Sequence, residues 1–283
     1  MIRKITISLI LVALILLTPL TALAWEESGE GGVTVRGPPA PEITYVSVEE
    51  TARWGKWITI VVEARNDGDK ADEMYLSVSF PDNPSLDRIQ IVSGFNKPTI
   101  HPPGKEVWGG YGTKKVTLSY PLVEDYKAPW PRGESNTLEV KVKPHITGPF
   151  RVYIKAVAYG AGEWRYDPYS GTKDQQDEYV YEYTSTIFVG VDITKFYVTM
   201  DRGETKETSI TVKNRNFDPI TVESFKVTDY GGFKGSITCV TIEEARSITI
   251  EAGSSVSLIL RVTASEDCLP GTYTVKFKLS GKP

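Results

Sequence analysis

The sequence predicts an all-β protein of two antiparallel β-sandwiches that follows a cleaved signal peptide. Three observations carry that expectation. Apolar residues recur with a period of two along most of the chain after Pro41. Gly, Pro and Asn punctuate these runs at short intervals. No stretch sustains an apolar stripe at helical spacing.

The amino terminus accounts for the first 24 residues. Arg3 and Lys4 precede an apolar run from Ile5 to Leu17, and Ala22-Leu23-Ala24 follows. This is the basic, apolar and small-x-small order of a secretory signal, with cleavage expected after Ala24. The run is short of the roughly 20 residues that a membrane helix needs. Membrane attachment is therefore expected only if the signal stays uncut, and the location is extracellular or cell-surface. Residues 25–41 are rich in Gly, Pro and Glu, and read as a flexible leader. Within it, Val33-Thr34-Val35-Arg36 is a short strand-like piece that can add to a sheet edge, of a neighbouring copy or of its own chain.

Clean alternation marks the strands. Ile58, Ile60, Val62 and Ala64 share one face, as do Leu138, Val140 and Val142, and Phe150, Val152, Ile154, Ala156 and Ala158. Val256, Leu258, Leu260, Val262 and Ala264 form a fourth such face, and Tyr273, Val275, Phe277 and Leu279 a fifth. Each run predicts a strand with one dry and one wet side, the mark of antiparallel sandwiches. A boundary near Gly190 divides residues 42–190, with long inserted loops, from a tighter unit at 191–283. The two parts begin alike. Gly55 precedes an alternating strand that ends at Asn66, and Gly203 precedes one that ends at Asn214.

On those features the chain resembles the immunoglobulin-like accessory domains of archaeal and bacterial cell-surface proteins, S-layer-related and CARDB-like domains among them. The matching residues are the strand ending in Asn214, the Ala252-Gly253-Ser254 turn and the Pro270-Gly271-Thr272-Tyr273 ending. The likeness covers 191–281 well and 42–190 in part, because the loops between Phe80 and Ser135 depart from it. It implies an immunoglobulin-like fold and spacer, adhesion or binding roles, with no shared catalytic residues.

The charge is −4 overall, and −6 once Arg3 and Lys4 are removed. No basic stripe occurs, which argues against nucleic acid as a partner. Cys239 and Cys268 are the only cysteines. Export makes a disulfide between them plausible, worth about 3–4 kcal/mol in the chain-entropy model, and a buried thiol pair is the alternative. His101 and His145 sit beside prolines and read as exposed loop residues. No Gly-x-Ser-x-Gly elbow is present, and no enzymatic activity is expected. The acidic stretch with Asp167, Asp174, Asp177 and Glu178 could hold Ca²⁺, although it lacks the spacing of an EF-hand.

Aromatic loops are the remaining signal. Trp108 and Tyr111 lie among glycines, Trp130 lies between prolines, and Trp164, Tyr166 and Tyr169 open the acidic stretch. Rings on loops over a rigid sandwich suit the docking of an envelope protein or a glycan. The same rings could instead cap the ends of the sandwich. The expected function is a non-enzymatic binding, adhesion or assembly module of the envelope. The alternatives are a carbohydrate-binding module supporting secreted hydrolases and a structural subunit of a surface lattice or filament.

Overall fold

The computed structural model describes residues 39–109, 112–160, 177–231, 240–243 and 247–283. The strands in chain order are β1 (Pro41–Val48), β2 (Thr51–Arg53), β3 (Ile58–Asn66), β4 (Ala71–Ser79), β5 (Ile89–Ser93) and β6 (Thr99–His101). They continue with β7 (Glu106–Gly109), β8 (Gly112–Thr117), β9 (Leu122–Lys127), β10 (Ser135–Val142), β11 (Gly148–Gly160) and β12 (Asp177–Phe188). After Gly190 come β13 (Val191–Ile193), β14 (Thr205–Asn214), β15 (Ile220–Gly231), β16 (Val240–Glu243), β17 (Ile248–Ile250), β18 (Ser255–Ala264) and β19 (Thr274–Lys282). Among the described residues the only helical piece is a 3₁₀ turn at Leu86–Arg88.

The protein is all-β, built of layered antiparallel sheets. One layer has the order β1-β3-β10-β5, and the six-stranded layer facing it runs β2-β12-β11-β4-β9-β6. Two further sheets have the orders β13-β14-β18-β16 and β17-β15-β19. Both pairs follow the immunoglobulin-like plan, in which the first, second, fifth and fourth main strands form one sheet. Among the described residues one pairing departs from antiparallel: β2 joins β12 in parallel, through Thr51–Arg53 against Thr186–Phe188.

The alternation places the core as expected. Ile58, Ile60, Val62, Leu138, Val140, Phe150, Val152 and Ile154 are at most 1% exposed. Leu258, Leu260 and Val262 are buried likewise. The fifth run differs, because Val275, Phe277 and Leu279 of β19 stay half-buried.

The two halves repeat in detail. Gly55 and Gly203 both have positive φ (76° and 73°) and each stands eleven residues before its Asn (66 less 55; 214 less 203). Gly133 and Gly253 (φ 74° and 69°) each precede the next inner-sheet strand by two residues. A left-handed turn at these points favours glycine because it has no Cβ.

At the junction the Lys143 ammonium lies 2.6 Å from the Asp218 carboxylate, and the Phe217 amide donates to the Trp54 carbonyl. The Gly190 amide donates to Asn216 Oδ1, and Asn216 Nδ2 donates back to the Gly190 carbonyl. A Cβ on Gly55 would stand 2.6 Å from Asp218. Residues 37–283 form one compact unit.

Candidate binding site

The outer face of the six-stranded sheet is the feature that stands out. In β4 the inward positions Met74, Leu76 and Val78 are wholly buried, as alternation requires. The outward positions Tyr75, Ser77 and Ser79 are buried as well, at 8% exposure or less. Alternation alone would leave that side wet, so this strand is dry on both faces.

Register builds the outer face row by row. Tyr75 stands opposite Tyr126 of β9 and Val157 of β11. Ser77 stands between Glu124 and Lys155, and Ser79 between Leu122 and Tyr153. The Tyr75 and Tyr126 rings stack at 5.4 Å and 23°, and Tyr159 meets Tyr75 edge-on at 6.0 Å. Tyr120 meets Tyr153 edge-on at 6.3 Å. Offset and edge-on contacts of this kind are the favoured aromatic geometries. Tyr126 keeps 43% of its surface exposed, so the stack ends on an open ring.

Polar groups are interleaved with the rings. The Tyr75 hydroxyl donates to Glu73 Oε2 at 2.6 Å. Burial first, and then the bond to Glu73, pushes this hydroxyl far above the ordinary tyrosine range. His101 Nε2 lies 3.7 Å from Glu124 Oε1, with both side chains mostly buried. The Ser77 hydroxyl donates to the Lys155 carbonyl. The result is a largely covered outer face, with a buried tyrosine pair, a buried carboxylate beside an imidazole, and Tyr126 as the ring that stays exposed.

The opposite parity of β9 serves structure. Asp125 points inward and is wholly buried. Its carboxylate accepts from the amides of Phe95, Asn96, Lys97 and Tyr126 at 2.8–3.0 Å. It thereby fixes the loop that leads to β6.

The residues expected to make contacts fare differently. Trp130 is corrected: it is 0% exposed, its indole Nε1 donates to the Glu134 carbonyl at 2.7 Å, and Phe95 packs on it edge-on at 5.1 Å. Prolines flank it in sequence, but its backbone pairs with Ala71, and that pairing carries the ring into the core. Trp108 lies in β7 with its side chain outside the described residues, and Tyr111, Trp164, Tyr166 and Tyr169 lie outside them altogether. Val107 packs with Leu118 and Leu122, and β11 runs through Tyr159 to Gly160 just before the 161–176 stretch.

Asp167 and Asp174 also lie outside the described residues, and Asp177 and Glu178 open β12 with their side chains outside them. Among the described residues no group of three or more His, Cys, Asp or Glu is placed to hold a metal ion. His145 is exposed as expected, whereas His101 is corrected: it ends β6 and is half-buried against Glu124. Cys268 is buried beside Ala264, and Cys239 is outside the described residues. Tyr75, Tyr159 and Glu124 were missed in the sequence. The available signal was the Tyr75-x-Ser77-x-Ser79 parity opposite Tyr126.

No family model matches the chain, and no curated protein matches it. Among solved structures it is similar to red sea bream transglutaminase at 11% identity and a TM-score of 0.34, over 84% of this chain and 29% of that one. It is similar to a cohesin module from a Clostridium perfringens family 33 glycoside hydrolase at 8% and 0.29, over 53% of this chain and 96% of the module. A class 5 fimbriae chaperone aligns at 9% and 0.24, over 84% and 98%.

Proposed function

We propose that this chain is a non-enzymatic, extracytoplasmic binding module of the cell envelope that engages its partner on the tyrosine-bearing face of the six-stranded sheet. The carrying observation is the Tyr75–Tyr126 stack ending on an exposed ring. Tyrosine offers a large rigid contact area with a polar tip, which is why it is enriched where proteins dock. The signal-like amino terminus supports export, and the resemblance to S-layer-related and CARDB-like accessory domains supports an adhesion or assembly role. The reading is tested by cosedimentation of the chain from Trp25 onward with purified envelopes of its source. Tyr126→Ala should lower bound protein at least fivefold while leaving the melting temperature within a few degrees. Equal binding by both proteins overturns the assignment of this face.

A glycan is the second form of this reading, favoured by the exposed Tyr126 ring. A sugar ring stacks on an aromatic ring of this kind. Tryptophan fluorescence titrated with envelope polysaccharides separates it from protein docking. A saturable change that Tyr126→Ala abolishes supports the glycan, and its absence with every polysaccharide excludes it.

A further inference from the structure

β9 and β10 belong to the two facing layers of the first sandwich, and residues 128–134 join them. Parity turns one polar residue of each strand inward at this end. Val123 and Asp125 of β9 face the core, so Lys127 does too, opposite the wholly buried Met74. Leu138 and Val140 of β10 face the core, so Asn136 does too, opposite the wholly buried Ala64. An amine and a carboxamide thus enter the same end of the sandwich from opposed sheets.

One carboxylate oxygen joins them. Glu134 Oε1 accepts from the Lys127 ammonium and, at 2.8 Å, from Asn136 Nδ2. The Glu134 backbone is fixed as well. Its carbonyl accepts from the Trp130 indole at 2.7 Å and from the Asn66 amide at 3.3 Å, and Trp130 and Asn66 are both wholly buried. The three side chains are partly shielded from water, with Lys127 at 37% and Glu134 at 28% exposure. An ordinary ion pair accounts for Lys127 and Glu134 alone. The inward amide on the same oxygen makes the group a reactive constellation of nucleophile, proton carrier and acyl centre.

We propose that Lys127 and Asn136 condense into an intramolecular amide bond, with Glu134 carrying the protons. In the resting site burial raises the Glu134 carboxyl, and the bonds from Lys127 and Asn136 outweigh it and hold the group ionised, so the amine starts protonated. A proton then passes from Nζ to Oε1 and leaves a neutral amine that can attack. Nζ bonds to Asn136 Cγ. Glu134 gives its proton to Nδ2 and takes another from Nζ, and the Cγ–Nδ2 bond breaks. Glu134 passes that second proton to the departing ammonia, which leaves as ammonium. Nothing is oxidised or reduced, and no co-reactant is consumed. The step occurs once per chain, so it is maturation and not turnover. Fixed reactants favour it, and the ionised resting state makes it slow. The product ties the two layers together at the end where Tyr126 emerges, whether or not that ring docks a partner.

Intact-mass spectrometry on the chain from Trp25 onward, before and after days of warming at neutral pH, tests it. The wild type should converge on a mass one ammonia below that of its sequence. A digest should contain one branched peptide that joins the Lys127 and Asn136 segments. Lys127→Arg keeps a cation for Glu134 and so keeps the fold, and it should hold the full mass, as should Asn136→Ala. Glu134→Gln should slow bond formation by about a hundredfold or more. A warmed wild type at its full sequence mass overturns the proposal. So does an ammonia loss that persists in Lys127→Arg, because Asn136 has then closed on its own backbone as a succinimide. An unchanged rate in Glu134→Gln overturns the part given to that carboxylate. Tyr126→Ala should cross-link as the wild type does, which keeps this outcome separate from the envelope-binding one.

Discussion

Asn66 and Asn214 perform the same task in the two sandwiches, each wholly buried at the end of the second main strand. Asn66 Nδ2 donates to the carbonyls of Asp69 and Trp130, and Asn214 Nδ2 to those of Asp218, Ile250 and Glu251. The backbone amides match too: Asn66 donates to the Glu134 carbonyl and Asn214 to the Ser254 carbonyl. One amide side chain thus ties a turn to the strand across the core. By the same correspondence Trp130 occupies the place of Ile250, a core position. Replacing either Asn by Ala leaves buried carbonyls without their donor, an effect of about 1–3 kcal/mol per site. Chemical denaturation should show a loss of that size for Asn66→Ala and for Asn214→Ala, and the two losses should add, since the sites share no partner.

Asp125 makes a second structural prediction. Four backbone amides converge on its carboxylate, and hydrogen bonds to a charged acceptor are the stronger kind. Asp125→Ala should reduce stability by about 3 kcal/mol or more, the range for breaking a buried polar network. Hydrogen exchange at Phe95, Asn96 and Lys97 should accelerate most. Unchanged protection there would show that the loop is held by other contacts.

Glycine substitutions separate backbone strain from crowding at the junction. Gly55 and Gly104 both have positive φ, at 76° and 82°. A Cβ on Gly104 meets nothing within 4 Å, whereas one on Gly55 strikes Asp218. Gly104→Ala should therefore cost only the left-handed penalty, about 1–2 kcal/mol. Gly55→Ala should lose more, and should displace Asp218 from Lys143. Small-angle scattering is expected to report a change for Gly55→Ala alone.

Acid titration should reveal the Asp82–Arg151 contact. Burial raises the Asp82 carboxyl, and the side-chain and backbone bonds from Arg151 outweigh that, leaving its pKa below the ordinary 3.8. A depressed folded-state pKa gives stability that is present above the unfolded value and disappears as pH falls through the folded one. The stability difference between wild type and Asp82→Asn should hold from pH 7 to about pH 5 and shrink below pH 4. Urea midpoints across that range provide the measurement.

Period-two alternation was enough to read the layers, because a strand shows successive side chains to opposite faces whatever surrounds it. That is why Ile58 to Ala64, Phe150 to Ala158 and Leu258 to Ala264 lie inward as expected. The repeat of Gly55–Asn66 in Gly203–Asn214 was legible for the same reason: it is written in local turn chemistry and spacing. What alternation does not state is whether a face is covered, or by what. Only the packed structure makes Tyr75, Ser77 and Ser79 dry on the outer side of β4, turns Trp130 inward through its pairing with Ala71, and leaves the rim of Phe277 half open. Each of these depends on a neighbour many residues away in the chain, and burial is a property of that neighbour as much as of the residue itself.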